Sequence, residues 1–118
     1  MKSWQTLALA TFAALSAQHS ANAEYIFPGE RSHCHGFLMA RQSDARITLR
    51  SGPGTNHRSL GYGLVGDSVY ILWSQPPELD YATDSQGNTW YRVGFYTTGA
   101  KGWVREDFIQ MRCSATED

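Results

Sequence analysis

The sequence predicts a small all-β domain linked by one disulfide, and three observations support this prediction. Apolar and polar residues alternate over short runs, as they do in strands with one buried face. Glycine and proline break these runs, most sharply at Gly52-Pro53-Gly54. The chain has 118 residues and only two cysteines, and a core of this size often needs a covalent link. The length fits a single domain.

The first strand of the β region is predicted at Ile47–Arg50. Its apolar residues Ile47 and Leu49 alternate with polar ones, which is the period of a half-buried strand. Pro53 fixes its own φ and has no N–H to donate, and its glycine neighbours permit unusual backbone angles. The strand therefore ends in a sharp bend.

Four further strands are predicted after this bend. Glycines interrupt the stretch Leu60–Val65, which predicts a bent arm rather than a straight strand. Arg105–Asp107 suggests one turn of 3₁₀ helix before the last strand. The four predicted strands are Ser68–Trp73, Trp90–Tyr96, Lys101–Val104 and Phe108–Met111.

A long segment, Ser74–Asn88, separates two of these strands and is predicted to be an exposed loop. It contains Pro76-Pro77, and consecutive prolines cannot occupy a central strand. Its second half, Asp84–Asn88, is a cluster of turn-forming residues. We expect the loop to be mobile, and the fold to survive its replacement by a short turn.

The first 23 residues have the pattern of a signal peptide. Lys2 precedes an apolar run at Leu7–Leu15, and Ala21-Asn22-Ala23 has the small-residue pattern of a cleavage site. The apolar run is too short to span a bilayer. The sequence therefore predicts a protein without a membrane span that is secreted or periplasmic and begins at Glu24.

The remaining chain is predicted to have three parts. Residues 24–43 form an N-terminal lead-in segment, with a loop and then a short strand near the apolar patch Phe37–Ala40. Residues 44–113 form the β domain, and residues 114–118 form a C-terminal tail. No internal repeat appears in the sequence, and we expect a monomer.

The charge balance argues against a polyanionic partner. The chain has a formal net charge of −1, and removal of the leader with Lys2 would make it more negative by one. A nucleic-acid-binding domain of this size usually carries a basic surface. Nucleic acid is therefore excluded as an expected partner.

The two cysteines, Cys34 and Cys113, are expected to pair, because disulfides persist in the compartments that exported proteins reach. His33 and His35 flank the first cysteine and raise two alternatives, a metal site and a Cys–His hydrolase. Adjacent residues on an extended chain point to opposite sides, and a bonded cysteine neither ligates a metal nor attacks a substrate. We expect no metal, no cofactor and no catalytic site.

Three stretches together resemble the bacterial SH3 (SH3b) family: Arg46–Gly54 with its Arg-Ser-Gly-Pro turn, Trp90–Val93, and Gly102-Trp103-Val104. The resemblance covers roughly residues 44–110. The positions that match hydrophobic strand positions of the family are Leu60, Leu64, Val69 and Ile71. The resemblance implies an SH3-like barrel of about five strands with its two chain ends close together. The long Ser74–Asn88 segment, which we interpret as an inserted loop, departs from the usual pattern of the family.

The resemblance also implies function, namely a non-catalytic module that binds cell-wall peptide or an envelope protein. The counterpart of Trp90 in SH3-type domains lines the peptide groove, although a core position is equally compatible with the pattern. Tyr62 and Tyr81 are weaker groove candidates, and Trp103 is expected to pack at the end of the barrel. Rings suit peptide grooves because they give contact area with little loss of entropy.

Three arginines complete the predicted site. Arg50 and Arg58 flank the Gly-Pro-Gly turn, and Arg92 follows Trp90 on the same face of a strand. Arginine binds carboxylates in a bidentate manner. The alternative is that these arginines form surface pairs with Asp67, Glu106 or Asp107.

Two other functions remain open at the level of the sequence. The protein could be a structural or assembly subunit of an envelope complex, in which the aromatic face meets another protein. A wall hydrolase that uses Cys34 is the least favoured alternative, because it needs a larger fold and an activated thiol.

Overall fold

A computed structural model describes residues 24–114, which form a small, all-β, SH3-like barrel. A 3₁₀ turn at Glu106–Phe108 precedes the last strand. The strands are β1 (Glu24–Tyr25), β2 (Arg31–Leu38), β3 (Arg46–Arg50), β4 (Ser59–Leu64), β5 (Ser68–Leu72), β6 (Tyr81–Thr83), β7 (Thr89–Phe95), β8 (Ala100–Arg105) and β9 (Ile109–Cys113).

The five predicted strands are confirmed as β3, β5, β7, β8 and β9, and so is the 3₁₀ turn. The described residues hold nine strands rather than about five, because β1, β2, β4 and β6 join the same sheet. No helix of residues 24–114 has the length and apolar character of a membrane span. The predicted signal peptide and all but the first residue of the predicted tail lie outside the described residues.

The strands are antiparallel and follow the order β4-β3-β8-β7-β5-β2-β9, with β1 beside β8 and β6 beside β7. The lead-in therefore contributes a full strand between β5 and β9, and the short strand predicted at Phe37–Ala40 was placed too late. Cys34, Gly36 and Leu38 form the buried face of β2. Gly36 is required there because the Gln110 carbonyl occupies the space of a Cβ.

The predicted disulfide between Cys34 and Cys113 is confirmed. The two residues face each other across β2 and β9, although 79 positions separate them in the sequence. Cys34 is 1% exposed and belongs to the core, and no free cysteine remains. The bond therefore fastens the first long strand directly to the last.

The hydrophobic core contains the predicted residues Val69, Ile71 and Val93, each fully buried. Phe95 is the largest side chain in it. Leu64, one of the four positions matched to hydrophobic strand positions, is instead 45% exposed. The other buried members of the core are Cys34, Leu38, Ile47, Leu49, Leu60, Val104 and Ile109.

The stretch predicted as a bent arm is largely a strand, and this corrects the sequence interpretation. β4 pairs with β3 along its length, with one irregularity between Leu49 and Arg50. The glycines serve close packing as well as bending: a Cβ on Gly63 would lie 2.6 Å from the ring of Phe95. An alanine at Gly63 is therefore incompatible with the packed core.

The segment Ser74–Asn88 also differs from the predicted loop, because part of it forms a strand of the sheet. Its residues Tyr81–Thr83 form β6, which pairs with β7 and makes a hairpin closed by a turn at 84–88. The Asp80 carboxylate accepts hydrogen bonds from Ser74 and Arg92. The expected mobility of the segment stays a prediction, but removal of the whole segment would remove these contacts.

Four charged side chains form a network at one end of β7 and β8. Glu30 accepts from Lys101 Nζ at 2.9 Å and from Arg92 Nη2 at 3.0 Å, and Arg92 also pairs with Asp80. All four side chains are between 9% and 17% exposed. Pairs shielded to this degree contribute more than ordinary surface pairs, because water screens them less.

Glu30 is the member whose ionisation controls the network. Burial raises its pKa, but hydrogen bonds from Lys101, the Phe27 N–H and Arg92 outweigh burial and hold the pKa below its ordinary value. A carboxyl with a lowered pKa stabilises the fold above its unfolded pKa, and this stabilisation is lost as pH falls through the folded pKa.

We expect Glu30→Gln to lower the free energy of unfolding by about 2 kcal/mol at neutral pH, between the values for exposed and buried pairs. The variant should also lose less stability than the wild type on acidification. Urea titrations across the acid range measure both effects. Glu78→Gln is the matched control, because Glu78 is exposed. Equal acid sensitivity of wild type and Glu30→Gln would contradict the prediction.

Candidate ligand-binding groove

Trp90 lies on the outer face of the sheet, although it is buried. Val93 and Phe95 of the same strand point into the core, and alternation places Trp90 and Arg92 on the opposite face. Trp90 is nevertheless only 4% exposed. It is therefore buried outside the main core cluster, and it forms the floor of a pocket.

This pocket, called here the Trp90 pocket, has a volume of about 160 Å³. One of its walls is β3, where Arg46, Thr48 and Arg50 alternate with buried residues and point outward. Arg105, at the end of β8, and Phe108, in the 3₁₀ turn, also line the pocket. The lining residues are Arg46, Ile47, Thr48, Arg50, Thr55, Trp90, Arg105 and Phe108.

The three arginines of the Trp90 pocket differ in their partners. Arg105 forms two hydrogen bonds with Asp107, at 2.6 and 3.0 Å, and these bonds raise its pKa. Arg46 lies over the Tyr62 ring, 4.7 Å from the centroid, and Arg50 donates to the His57 carbonyl at 3.1 Å. Among the described residues, only Arg105 of the three is paired with a carboxylate.

The floor of the pocket is fixed by Asp84. The indole N–H of Trp90 donates to Asp84 Oδ2 at 2.8 Å, while Oδ1 accepts from the N–H groups of Gln86 and Asn88. The hydrogen bonds from Trp90 and then from Asn88 hold the pKa of Asp84 below its ordinary value. The ionised carboxylate thus joins the 84–88 turn to the indole.

A second cleft of about 170 Å³ borders the Trp90 pocket, and the two cavities together are called here the Trp90 groove. Thr55 lines both cavities. One side of the second cleft is the Gly-Pro-Gly bend, where Gly54 has a φ of +150° that favours glycine. The other side is the turn that Asp84 caps. The residues that line this cleft are Gly54, Thr55, Asn56, Asp84, Ser85 and Gln86.

The structure brings two of the six predicted site residues, Trp90 and Arg50, into the Trp90 pocket. Tyr62 does not line the pocket but supports Arg46, which does. The other three lie outside its lining: Arg92 pairs with Glu30 and Asp80, Tyr81 is 62% exposed beside Tyr91, and Arg58 is exposed.

The surface pairs expected for the arginines are also different from those observed. The partners of Arg92 are Glu30 and Asp80, and the acid Asp107 is taken by Arg105. Sequence reasoning missed Arg46, Arg105 and Phe108 as lining residues. Arg46 could have been predicted from the alternation of the strand, because it lies two residues before Thr48 and on the same outward face as Thr48 and Arg50.

Trp103 differs from its expected role. It is half-buried rather than part of the core, and on the outer face it is the cross-strand neighbour of both Arg50 and Arg92. Trp90, for which the sequence left groove and core open, is the more buried of the two tryptophans.

His33, Cys34 and Cys113 form the one group of described residues with three metal-binding atoms close together, all within 4.8 Å. The two sulfur atoms are bonded to each other. A disulfide sulfur is not a thiolate ligand, so this state offers a metal only the imidazole of His33.

Comparisons with known proteins cover the region that contains the groove. A family model described as "Bacterial SH3 domain" matches residues 45–110, which include every residue of the Trp90 pocket. Serine/threonine-protein kinase D of Synechocystis sp. is 36% identical over 63 residues, or 53% of this chain. The matched region is 11% of that protein's length. No solved structure matches the chain significantly.

Proposed function

Because this chain belongs to the bacterial SH3 domain family, we propose that it is a non-catalytic binding module that recognises cell-wall peptide or an envelope protein through the Trp90 groove. One observation carries the proposal: an aromatic floor lies between the outward face of β3 and two polar loops, in a groove open to solvent. Such concave sites with apolar floors and a few polar groups are typical of ligand binding.

The division of the groove into two small cavities favours a chain-like ligand. Its two cavities measure about 160 and 170 Å³, each below the range of roughly 300–1,000 Å³ typical of sites for whole small molecules. Two small cavities joined at Thr55 suit successive residues of an extended peptide. Because Trp90 is only 4% exposed, a peptide residue would contact it together with the half-buried Phe108.

We propose an extracytoplasmic location, secreted or periplasmic, for this module. The disulfide is compatible with such a location, since oxidising compartments preserve these bonds. The leader pattern in residues 1–23 supports the same proposal. The non-catalytic role is supported by the bonded state of both cysteines, which removes the one thiol nucleophile that the sequence offers.

Blocking the groove should abolish binding without unfolding the protein. Thr55 is exposed and lines both cavities, so a phenylalanine there should fill the groove. We expect Thr55→Phe to lower the affinity for purified wall sacculi, measured by co-sedimentation, by at least about tenfold. Thr97→Phe is the matched control, because Thr97 is exposed in the turn between β7 and β8. Thermal melts should show that both variants are folded and melt close to the wild-type temperature.

Two results would argue against this proposal. Wild type that does not sediment and that captures no envelope protein would leave the groove without a function. Equal binding by Thr55→Phe and wild type would place the ligand elsewhere.

A second surface favours the alternative of an assembly subunit. Tyr70 and Tyr96 stack with centroids 3.9 Å apart, and Arg31 lies over Tyr70 at 5.1 Å. Arg31 also lines a cavity with Phe27, which is 66% exposed. Loss of partner capture in Phe27→Ser together with Tyr96→Ser, with normal sacculus binding, would support an assembly role for this surface.

A further inference from the structure

We propose that the Trp90 pocket binds the C-terminal residue of a peptide, with its α-carboxylate held by Arg46 and Arg50 and its side chain resting on Trp90. The inference rests on the proposed function, that the groove binds a peptide, and adds the chemical group that the pocket recognises.

The charges at the pocket point to an anion. Arg105 is already paired with Asp107, whereas Arg46 and Arg50 have no carboxylate partner among the described residues. Both guanidinium groups belong to side chains that line the same cavity. Two arginines without a carboxylate partner at one small cavity make the cavity favourable for an anion, and guanidinium binds carboxylate in a bidentate manner.

Both arginines are held in place before any ligand arrives. The Arg46 guanidinium rests on the ring of Tyr62, and Arg50 Nη1 donates to the carbonyl of His57. Each contact uses only part of the donor capacity of a guanidinium, which has five N–H groups. Side chains that are already ordered lose less entropy on binding, so they bind a carboxylate more tightly.

The apolar floor selects an α-carboxylate over an acidic side chain. Ile47, Trp90 and Phe108 lie within the same cavity of about 160 Å³ as the arginines. The carboxylate and the apolar group of the ligand must therefore lie within a few bonds of each other. A C-terminal residue carries both on one carbon atom, whereas an aspartate or glutamate offers its apolar neighbour only across the backbone.

Three acetylated tripeptides test the inference by titration calorimetry: alanine-alanine-leucine as the free acid, the same peptide as the C-terminal amide, and alanine-glutamate-leucine amide. We expect the free acid to bind about tenfold or more tightly than either amide, since a charge-assisted contact is lost in both. Its affinity should fall at high salt. The Trp90 indole N–H signal in NMR spectra should shift on binding.

Variants identify the residues involved. Arg46→Gln and Arg50→Gln should each weaken the free acid by about tenfold and leave the amide unchanged. Arg58→Gln, an exposed arginine outside the pocket lining, is the matched control and should bind as wild type. Arg46 donates no described hydrogen bond to the backbone, so its variant tests the proposal even if Arg50→Gln loosens the loop.

Each other outcome overturns the inference in a distinct way. Equal binding of the acid and the amide would mean that the pocket does not recognise an α-carboxylate. Tighter binding of the glutamate peptide would mean that it recognises a side-chain carboxylate instead. No binding by any tripeptide would also overturn it. If Thr55→Phe still abolished sacculus binding in that case, the proposed function would stand without this inference.

Discussion

Replacing both Cys34 and Cys113 by alanine is expected to lower the free energy of unfolding by about 4–5 kcal/mol, on the chain-entropy account of cross-links. The bond closes a segment of 79 positions and joins β2 directly to β9, so its loss frees much of the unfolded chain. The total stability of a native domain is about 5–15 kcal/mol, so this loss is a large fraction of it. Urea denaturation should show a protein close to the limit of folding.

Reduced wild type is the control for this experiment, because it loses the cross-link but keeps both sulfur atoms. Cys34 is in the core, and the difference between reduced wild type and the alanine variant therefore measures lost packing. Intact mass should show that the starting protein lacks two hydrogens. A loss below about 1 kcal/mol would mean that the unfolded chain is already compact.

Trp90→Ala is expected to lower the free energy of unfolding by about 3–5 kcal/mol, as for other buried tryptophans. The change removes a side chain that is 4% exposed and leaves Asp84 without its indole donor. Trp103→Ala should lower stability less, because Trp103 is half-buried on the outer face. Thermal and urea unfolding of the two variants measure this difference directly.

Trp90→Phe separates the two parts of the effect, because it keeps an apolar floor but has no N–H. It should be more stable than Trp90→Ala and less stable than wild type. If Trp103→Ala proved the more damaging of the two alanine changes, the prediction that burial decides the cost would be contradicted.

Most of the fold could be predicted from the sequence, because the central strands place aliphatic residues at their buried positions. In β3 and β5 the buried residues are Ile, Leu and Val, and the Gly-Pro-Gly bend marks where β3 ends. The lead-in strand β2 was misplaced for a physical reason. Two of its three buried positions are Cys34 and Gly36, and the strand has a small inner face because the backbone of β9 approaches it closely.

The candidate site could be predicted only in part. Trp90 and Arg50 follow from the resemblance and from the turn, and the structure places both in one pocket. Whether Arg92 is free depends on Glu30, which lies 62 positions away in the sequence. Arg105 reaches the pocket because it is the cross-strand neighbour of Trp90, and Phe108 because it ends the 3₁₀ turn that follows β8. Contacts between distant segments do not leave a local pattern.

The hydrogen bond between Asp84 and Trp90 constrains these two residues, whereas the neighbouring turn residues are free to vary. Asp84 caps the turn and anchors the indole with different oxygens, whereas the neighbouring Ser85 and Gln86 are exposed and only border the second cleft. Substitutions at these two positions can change the chemistry of the rim while the floor keeps its geometry. Under the proposed function, relatives of this protein would therefore differ in ligand preference through these turn residues, while the aspartate and the tryptophan change together or not at all.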